Sequence, residues 1–334
     1  MEQKLTNLGS SLPVPCVQEL AEDPLTMVPP RYVRVDQDPP VVSNTSSLPQ
    51  VPVIDMQSLL SKDLIVMDTE LEKLHHACKH WGFFQLINHG VSNSLIENVK
   101  SGIQEFFNLP IEEKKMFRQH SGDVEGFGQI FVVSEEQKLD WVDLFYLTTL
   151  PAHLRKPHLF PKLPLPFRDT LEAYSCDLKA LAMKILDLMA KALKMEATDM
   201  KALFDEGFQS MRMNYYPPCP QPELVIGLNP HSDAIDGMWI PVKPLHNAFV
   251  VNIGDILEVP TVNSEKERLS IAIFYNPKLD GDMGSAPSLV TPETPTLFKR
   301  IRVADYFKGY LSRELQGKSY LDVMRIQNEE EKGI

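Results

Sequence analysis

The stretch SMRMNYYPPCPQP, residues 210–222, is where the chain changes character. Before it, apolar residues recur at helical spacing. After it, they come in short runs separated by turns. Met211–Tyr215 reads as a strand, and Pro217, Pro218 and Pro220 stop it in a rigid turn. Proline also restricts the residue before it, which fixes Tyr216 either outward or into a pocket. Two more strands are expected at Ala248–Ile253 and Leu269–Tyr275. Toward the N-terminus, Thr170–Lys194 carries Leu171, Tyr174, Leu178, Leu181, Ile185 and Leu188 at helical spacing. Val51–Asp55 reads as a short strand, Met67–His80 as a helix and Gly82–Asn88 as a buried strand. A second helix carries the stripe Leu95, Val99, Ile103, Phe106 and Phe107 behind a capping-box pattern at Ser94–Glu97, and Asn108-Leu109-Pro110 ends it. Lys138–Leu147 is expected to be a strand paired with a partner near Ile130–Val133. Ala304–Met324 returns to helix. Helices with a few strands, then strands, then a closing helix make an α+β chain.

Composition narrows the function. The 334 residues are 43% hydrophobic, enough for a sizeable core. Lys plus Arg number 33 against 45 Asp plus Glu, a net charge of −12, so there is no basic footprint for nucleic acid or an anionic membrane. With 27 prolines, a helical bundle is disfavoured. Eight of those prolines punctuate residues 1–50, which read as an arm wrapping over the body, with a short helix near Val17–Glu22. Cys16, Cys78, Cys176 and Cys219 are far apart and form no CxxC pair, which fits a reducing compartment. No run approaches ~18 apolar residues, so no membrane span is expected. The start resembles neither a signal nor a transit peptide. The expectation is a cytoplasmic monomer with no nucleic-acid or membrane partner.

Three segments hold residues that could do chemistry. In His231-Ser232-Asp233, alternation along a strand would put imidazole and carboxylate on one face, a donor pair suited to non-haem Fe(II). By itself the pair also suits a surface turn after Pro230. In Arg268-Leu269-Ser270, guanidinium and hydroxyl share a face and could clamp a carboxylate, while Leu269, Ile271 and Ile273 face the other way. The competing reading is an exposed charge at the end of the run Glu265–Arg268. In Asn214–Pro220 the strand ends in that proline turn at Tyr216, and a buried tyrosine needs a hydroxyl partner. A structural role accounts for them equally well in isolation.

In this order, with GFFQLINHGV at 82–91, DVEGFGQ at 123–129, MRMNYYPPCPQP at 211–222 and Asn263–Pro277, the chain resembles the plant 2-oxoglutarate- and Fe(II)-dependent dioxygenases. Within them it is most similar to the senescence-related, norcoclaurine-synthase-like and alkaloid O-demethylase branch. The resemblance implies a distorted double-stranded β-helix, or jelly roll, flanked by helices. It implies His231 and Asp233 as Fe(II) ligands, Arg268 and Ser270 as the clamp on the distal carboxylate of 2-oxoglutarate, and Asn214 and Tyr216 as further co-substrate-binding residues. It implies O2 as second co-substrate and decarboxylation of 2-oxoglutarate to succinate. The coupled oxidation would hydroxylate, desaturate or O-demethylate a small specialised plant metabolite. The corresponding regions are an arm at 1–50, a mostly helical region at 51–205, the oxygenase jelly-roll core at 206–300 and a C-terminal helix at 301–334.

The chain departs from that family twice. Ile235-Asp236-Gly237-Met238 leads straight to Trp239, where relatives have on the order of two strands and their turn. Only Val259-Pro260 separates Glu258 from Thr261-Val262-Asn263, where relatives have a segment of about a dozen residues ending in histidine and arginine. That histidine is the second imidazole of the iron triad. His246 occupies a loop position of the family, His89 reads as structural, and His120, His153 and His158 read as surface residues. The barrel is therefore expected to lack strands. The alternative to an active oxygenase is a catalytically impaired homologue, or a sequence from an incomplete gene model lacking the distal iron-ligand histidine.

Overall fold

In the computed structural model the described residues are 11–22, 27–34, 50–120, 122–228, 242–253, 262–312 and 320–326. The main sheet is antiparallel. It orders β3 (Gly126–Gly128), β4 (Asp143–Leu150), β5 (Phe208–Tyr216) and β7 (Arg268–Asn276) as β3-β4-β5-β7. Alternation divides it into two unlike faces. One presents Phe127, Phe145, Leu147, Met211, Met213, Tyr215, Leu269, Ile271 and Ile273 to the hydrophobic core. The other carries Ser210, Arg212, Asn214 and Tyr216 of β5, opposite Phe274, Ala272, Ser270 and Arg268 of β7.

Two helices cover the apolar face: α4 (Asn93–Phe107) and α6 (Leu165–Ala192). Phe106 stacks on Phe145 at 4.5 Å and Phe107 on Tyr215 at 5.3 Å. Each such buried side chain contributes about 1.5–3 kcal/mol. Gly102 lets the helices approach: a Cβ there would lie 2.3 Å from the Phe167 ring. A smaller sheet sits beside the first. In it β1 (Val53–Asp55) runs parallel to β2 (Phe83–Ile87), which pairs antiparallel with β6 (Phe249–Asn252). The helices α2 (Met56–Leu59) and α3 (Leu64–His80) link β1 to β2. His89 braces this sheet. Its Nδ1 accepts the Val91 N–H at 3.1 Å, so Nε2 donates to the Asn247 carbonyl at 3.0 Å, and its ring stacks on Phe249 at 4.1 Å.

The arm helix α1 (Val17–Glu22) forms where the sequence predicts it. Its cap comes from far along the chain. The buried Asp143 carboxylate of β4 accepts the Val17 and Gln18 N–H groups, each at 2.8 Å, and the Cys16 thiol at 3.0 Å. Lys114, in α5 (Ile111–Lys114), closes the site by donating to Gln18 Oε1 and the Phe107 carbonyl. Burial pushes the Asp143 carboxyl up, opposed by those donors, and pushes the Cys16 thiol up to about 12.

Three local expectations are corrected. The partner of β4 is Gly126–Gly128, not Ile130–Val133. Phe131 has φ +65°, which breaks the extended backbone, and Val132 is bonded instead to Ser11 and Leu12 of the arm. The capping box at Ser94 does not form: α4 starts two residues earlier than that box would set it, Ser92 is its N-cap, and Glu97 is drawn into an ion pair with Lys100 at 2.6 Å. The C-terminal helix is shorter than expected. α8 (Val303–Leu311) stops early, and Tyr320–Met324 is a 3-10 turn. The remaining elements are α7 (Ala197–Phe204) and a small pair of β8 (Asp282–Met283) with β9 (Ile301–Arg302). Among the described residues the strands do not close a barrel, as the two sequence gaps lead one to expect.

Candidate active site

The register of β5 against β7 builds the site. Tyr216 pairs with Arg268 and Asn214 with Ser270, so four sequence-predicted residues form one patch on the polar face. Asn214 Nδ2 donates to Ser270 Oγ at 3.0 Å, which orients that hydroxyl. The Arg268 guanidinium lies 5.4 Å from the centre of the Tyr216 ring. Glu267 accepts a hydrogen bond from the Tyr215 hydroxyl, and this ties down the entry to β7 immediately before Arg268.

Tyr216 is 1% exposed. Among the described residues its hydroxyl completes no hydrogen bond of good geometry, the neighbouring Ser270 included. Burial pushes this phenol up, so it stays protonated and keeps a proton to donate. A buried hydroxyl left open in this way costs about 1–3 kcal/mol, a cost that a bound acceptor would remove. Guanidinium, serine hydroxyl and phenol together form a donor set suited to a carboxylate. The residues present thus fit 2-oxoglutarate.

Sequence reasoning missed Arg212, two residues before Asn214 on the same face. It is 4% exposed, and its guanidinium sits 5.6 Å from the Phe274 ring. Among the described residues its Nε has no hydrogen-bond partner. Alternation counted back from Asn214 and Tyr216 could have found it. Farther along this face the surface turns aromatic. The Tyr146 hydroxyl donates to Ser210 Oγ at 3.0 Å, Phe131 meets Tyr310 of α8 at 5.5 Å, and Phe208 meets Phe307 at 5.6 Å.

The iron-ligand candidates His231 and Asp233 lie outside the described residues. Among the described residues no group of three or more His, Cys, Asp and Glu could hold a metal ion. His246 is exposed in the turn before β6, away from any such group. The described donor set therefore does not by itself fit iron.

Residues 51–163 match the family described as the non-haem dioxygenase in morphine synthesis N-terminal region, and residues 207–235 match the 2OG-Fe(II) oxygenase superfamily. The second match stops at the first sequence gap. The chain is 54% identical to oxoglutarate-dependent flavonoid 7-O-demethylase 1 of Ocimum basilicum, over 96% of this chain and 93% of the relative. It is 50% identical to codeine O-demethylase of Papaver somniferum, over 96% and 99%. Its match to protein SRG1 of Arabidopsis thaliana, at 52% identity, covers 98% of this chain and all of that protein. That alignment runs over 360 positions against a chain of 334, so at least 26 positions have no counterpart here. Among solved structures, JOX2 in complex with 2OG, Fe and JA superposes with a TM-score of 0.81 at 31% identity, covering 96% of this chain and all of that one.

Proposed function

Because the chain belongs to the plant 2-oxoglutarate- and Fe(II)-dependent dioxygenases, we propose that its β5–β7 patch holds 2-oxoglutarate while a small plant metabolite is oxidised beside it. The enzyme class is an oxidoreductase that uses Fe(II), 2-oxoglutarate and O2. The observation carrying the reading is the register Tyr216↔Arg268 and Asn214↔Ser270. Arg268 and Ser270 bind the distal carboxylate, Asn214 orients the serine hydroxyl, and Tyr216 donates its phenolic proton. His231 and Asp233 supply imidazole and carboxylate to the metal. Fe(II), when bound, supplies the chemistry that activates O2. The second imidazole has no counterpart in the sequence, so no step is assigned to it.

The aromatic end of the face, with Phe131, Phe274, Phe307 and Tyr310, suits a largely apolar substrate, and Arg212 suits an oxygen acceptor on it. The named relatives include two O-demethylases, which supports O-demethylation, with hydroxylation and desaturation the other outcomes of the same oxidation. The match at 51–163 supports a buttressing region at 51–205 beside a site-bearing region at 206–300, with an arm at 1–50 and a closing segment at 301–334. Among the described residues no helix is long and apolar enough to cross a membrane.

The test is succinate release from 2-oxoglutarate in the presence of Fe(II), O2 and an O-methylated flavonoid or alkaloid panel. Release above the protein-free rate that disappears in His231→Ala supports an active oxygenase. Release no faster than the protein-free rate supports the impaired homologue.

A further inference from the structure

We propose that the second edge of β7 pairs with β7 of another copy of this chain. β5 occupies the first edge along its whole length, from Phe208↔Asn276 to Tyr216↔Arg268. Among the described residues no strand lies along the other edge. Burial records the asymmetry: β5 is buried at all nine positions, whereas β7 is half-buried at all nine. The relatives' additional positions fall close to β7 in sequence. The two sequence gaps follow Ala234 and Glu258 and flank β6, the element preceding β7 in the chain.

Edge strands in native proteins are usually blunted by charge, proline or a bulge. The run LSIAIFY, residues 269–275, has no charge, no proline and no glycine, and its ladder with β5 is unbroken. It has the composition of a segment that seeks pairing. It is also complementary to itself. In an antiparallel register centred on Ala272, Ile271 faces the partner's Ile273, Leu269 faces the partner's Tyr275, and Ser270 faces the partner's Phe274. Such aliphatic and aromatic cross-strand pairs are favourable, and no like charges oppose each other within the ladder. At the flank, beyond the ladder, Lys266 comes opposite the partner's Lys278, whose charge Glu206 already offsets at 3.2 Å. The apolar face carrying Leu269, Ile271 and Ile273 continues across the junction, and two four-stranded sheets become one of eight. A shortened chain thus regains a neighbour for β7 from a second copy, in place of the monomer expected from sequence.

The register makes the test specific, because residue 272 alone faces its own equivalent. The full chain is prepared with Cys78→Ser and Cys176→Ser, the two cysteines that are not buried. Under mild oxidation Ala272→Cys forms a covalent dimer, with a yield at least about fivefold above that of Ile271→Cys or Ile273→Cys alone. Mixing the Ile271→Cys and Ile273→Cys proteins restores cross-linking. Sedimentation velocity of the unmodified chain shows a dimer fraction that rises between about 1 and about 100 μM, the range of a micromolar contact. A monomer throughout that range overturns the proposal. So does a yield at residue 272 no higher than at 271 or 273 alone.

Discussion

Replacing Glu125 by glutamine changes how stability depends on pH. Glu125 is buried, and its Oε2 accepts the Thr148 N–H of β4 at 2.7 Å. Burial raises its carboxyl from 4.5 to about 7, with Asp123 adding to the rise, while the Thr148 bonds and Lys156 oppose it. The sign follows from linkage. In the unfolded chain the group ionises near 4.5, and in the folded chain only near 7. Its contribution to stability is therefore fully present below 4.5 and is lost as pH rises through about 7. A rise of that size corresponds to about 3 kcal/mol at most, and relaxation around the charge reduces it to about 1–2 kcal/mol. Glutamine keeps an acceptor for Thr148 and cannot ionise. Urea unfolding at pH 5 and pH 8 should show Glu125→Gln close to wild type at the lower pH and more stable by about 1–2 kcal/mol at the higher. Equal stability differences at the two pH values would refute the reasoning.

Three more expectations rest on other parts of the fold. Asp143→Ala strands the Val17 and Gln18 amides and removes the negative charge near Lys114, and should cost about 2–4 kcal/mol and open residues 11–22 to protease; a change below about 0.5 kcal/mol speaks against the anchor. Burial holds the His89 imidazole below its usual value of 6.5, so its contribution is full above that pH and fades as pH falls through it. Amide exchange at Val251 and Ile253, whose N–H groups face β2, corrected for intrinsic rates, should then accelerate at pH 5 relative to Met211; equal acceleration at all three positions removes His89 from that role. Protection should be strongest in α4 and α6, whose stripes are complete, and weaker in β6; the reverse order contradicts the packing described here.

Local periodicity made most elements legible. The stripe from Leu171 to Leu188 located α6, and its early start at Leu165 escaped because Pro166 reads as a loop residue although it is tolerated in a first turn. Alternation placed Arg268 with Ser270, the family resemblance pointed to Asn214 and Tyr216, and the ladder then put all four on one patch. What remained hidden depends on distant partners. Nothing near Val17 shows that its helix is capped from Asp143, 126 residues away. Glu125 looks like a surface carboxylate until β4 covers it. Arg212 looks like a solvated strand charge until Phe274 and the buried sheet surround it. The Ser94 capping box failed for the opposite reason, since a local pattern lost to the register at which α4 packs.

Calorimetric titration of 2-oxoglutarate into wild type and Arg268→Ala tests the central claim most directly, because it needs no turnover. A charge-assisted contact of this kind contributes about 1.5–3 kcal/mol, so the variant should bind at least about tenfold more weakly than wild type, or not measurably. Equal binding by the two proteins, or no binding by wild type, would contradict the assignment of the β5–β7 patch as the co-substrate clamp.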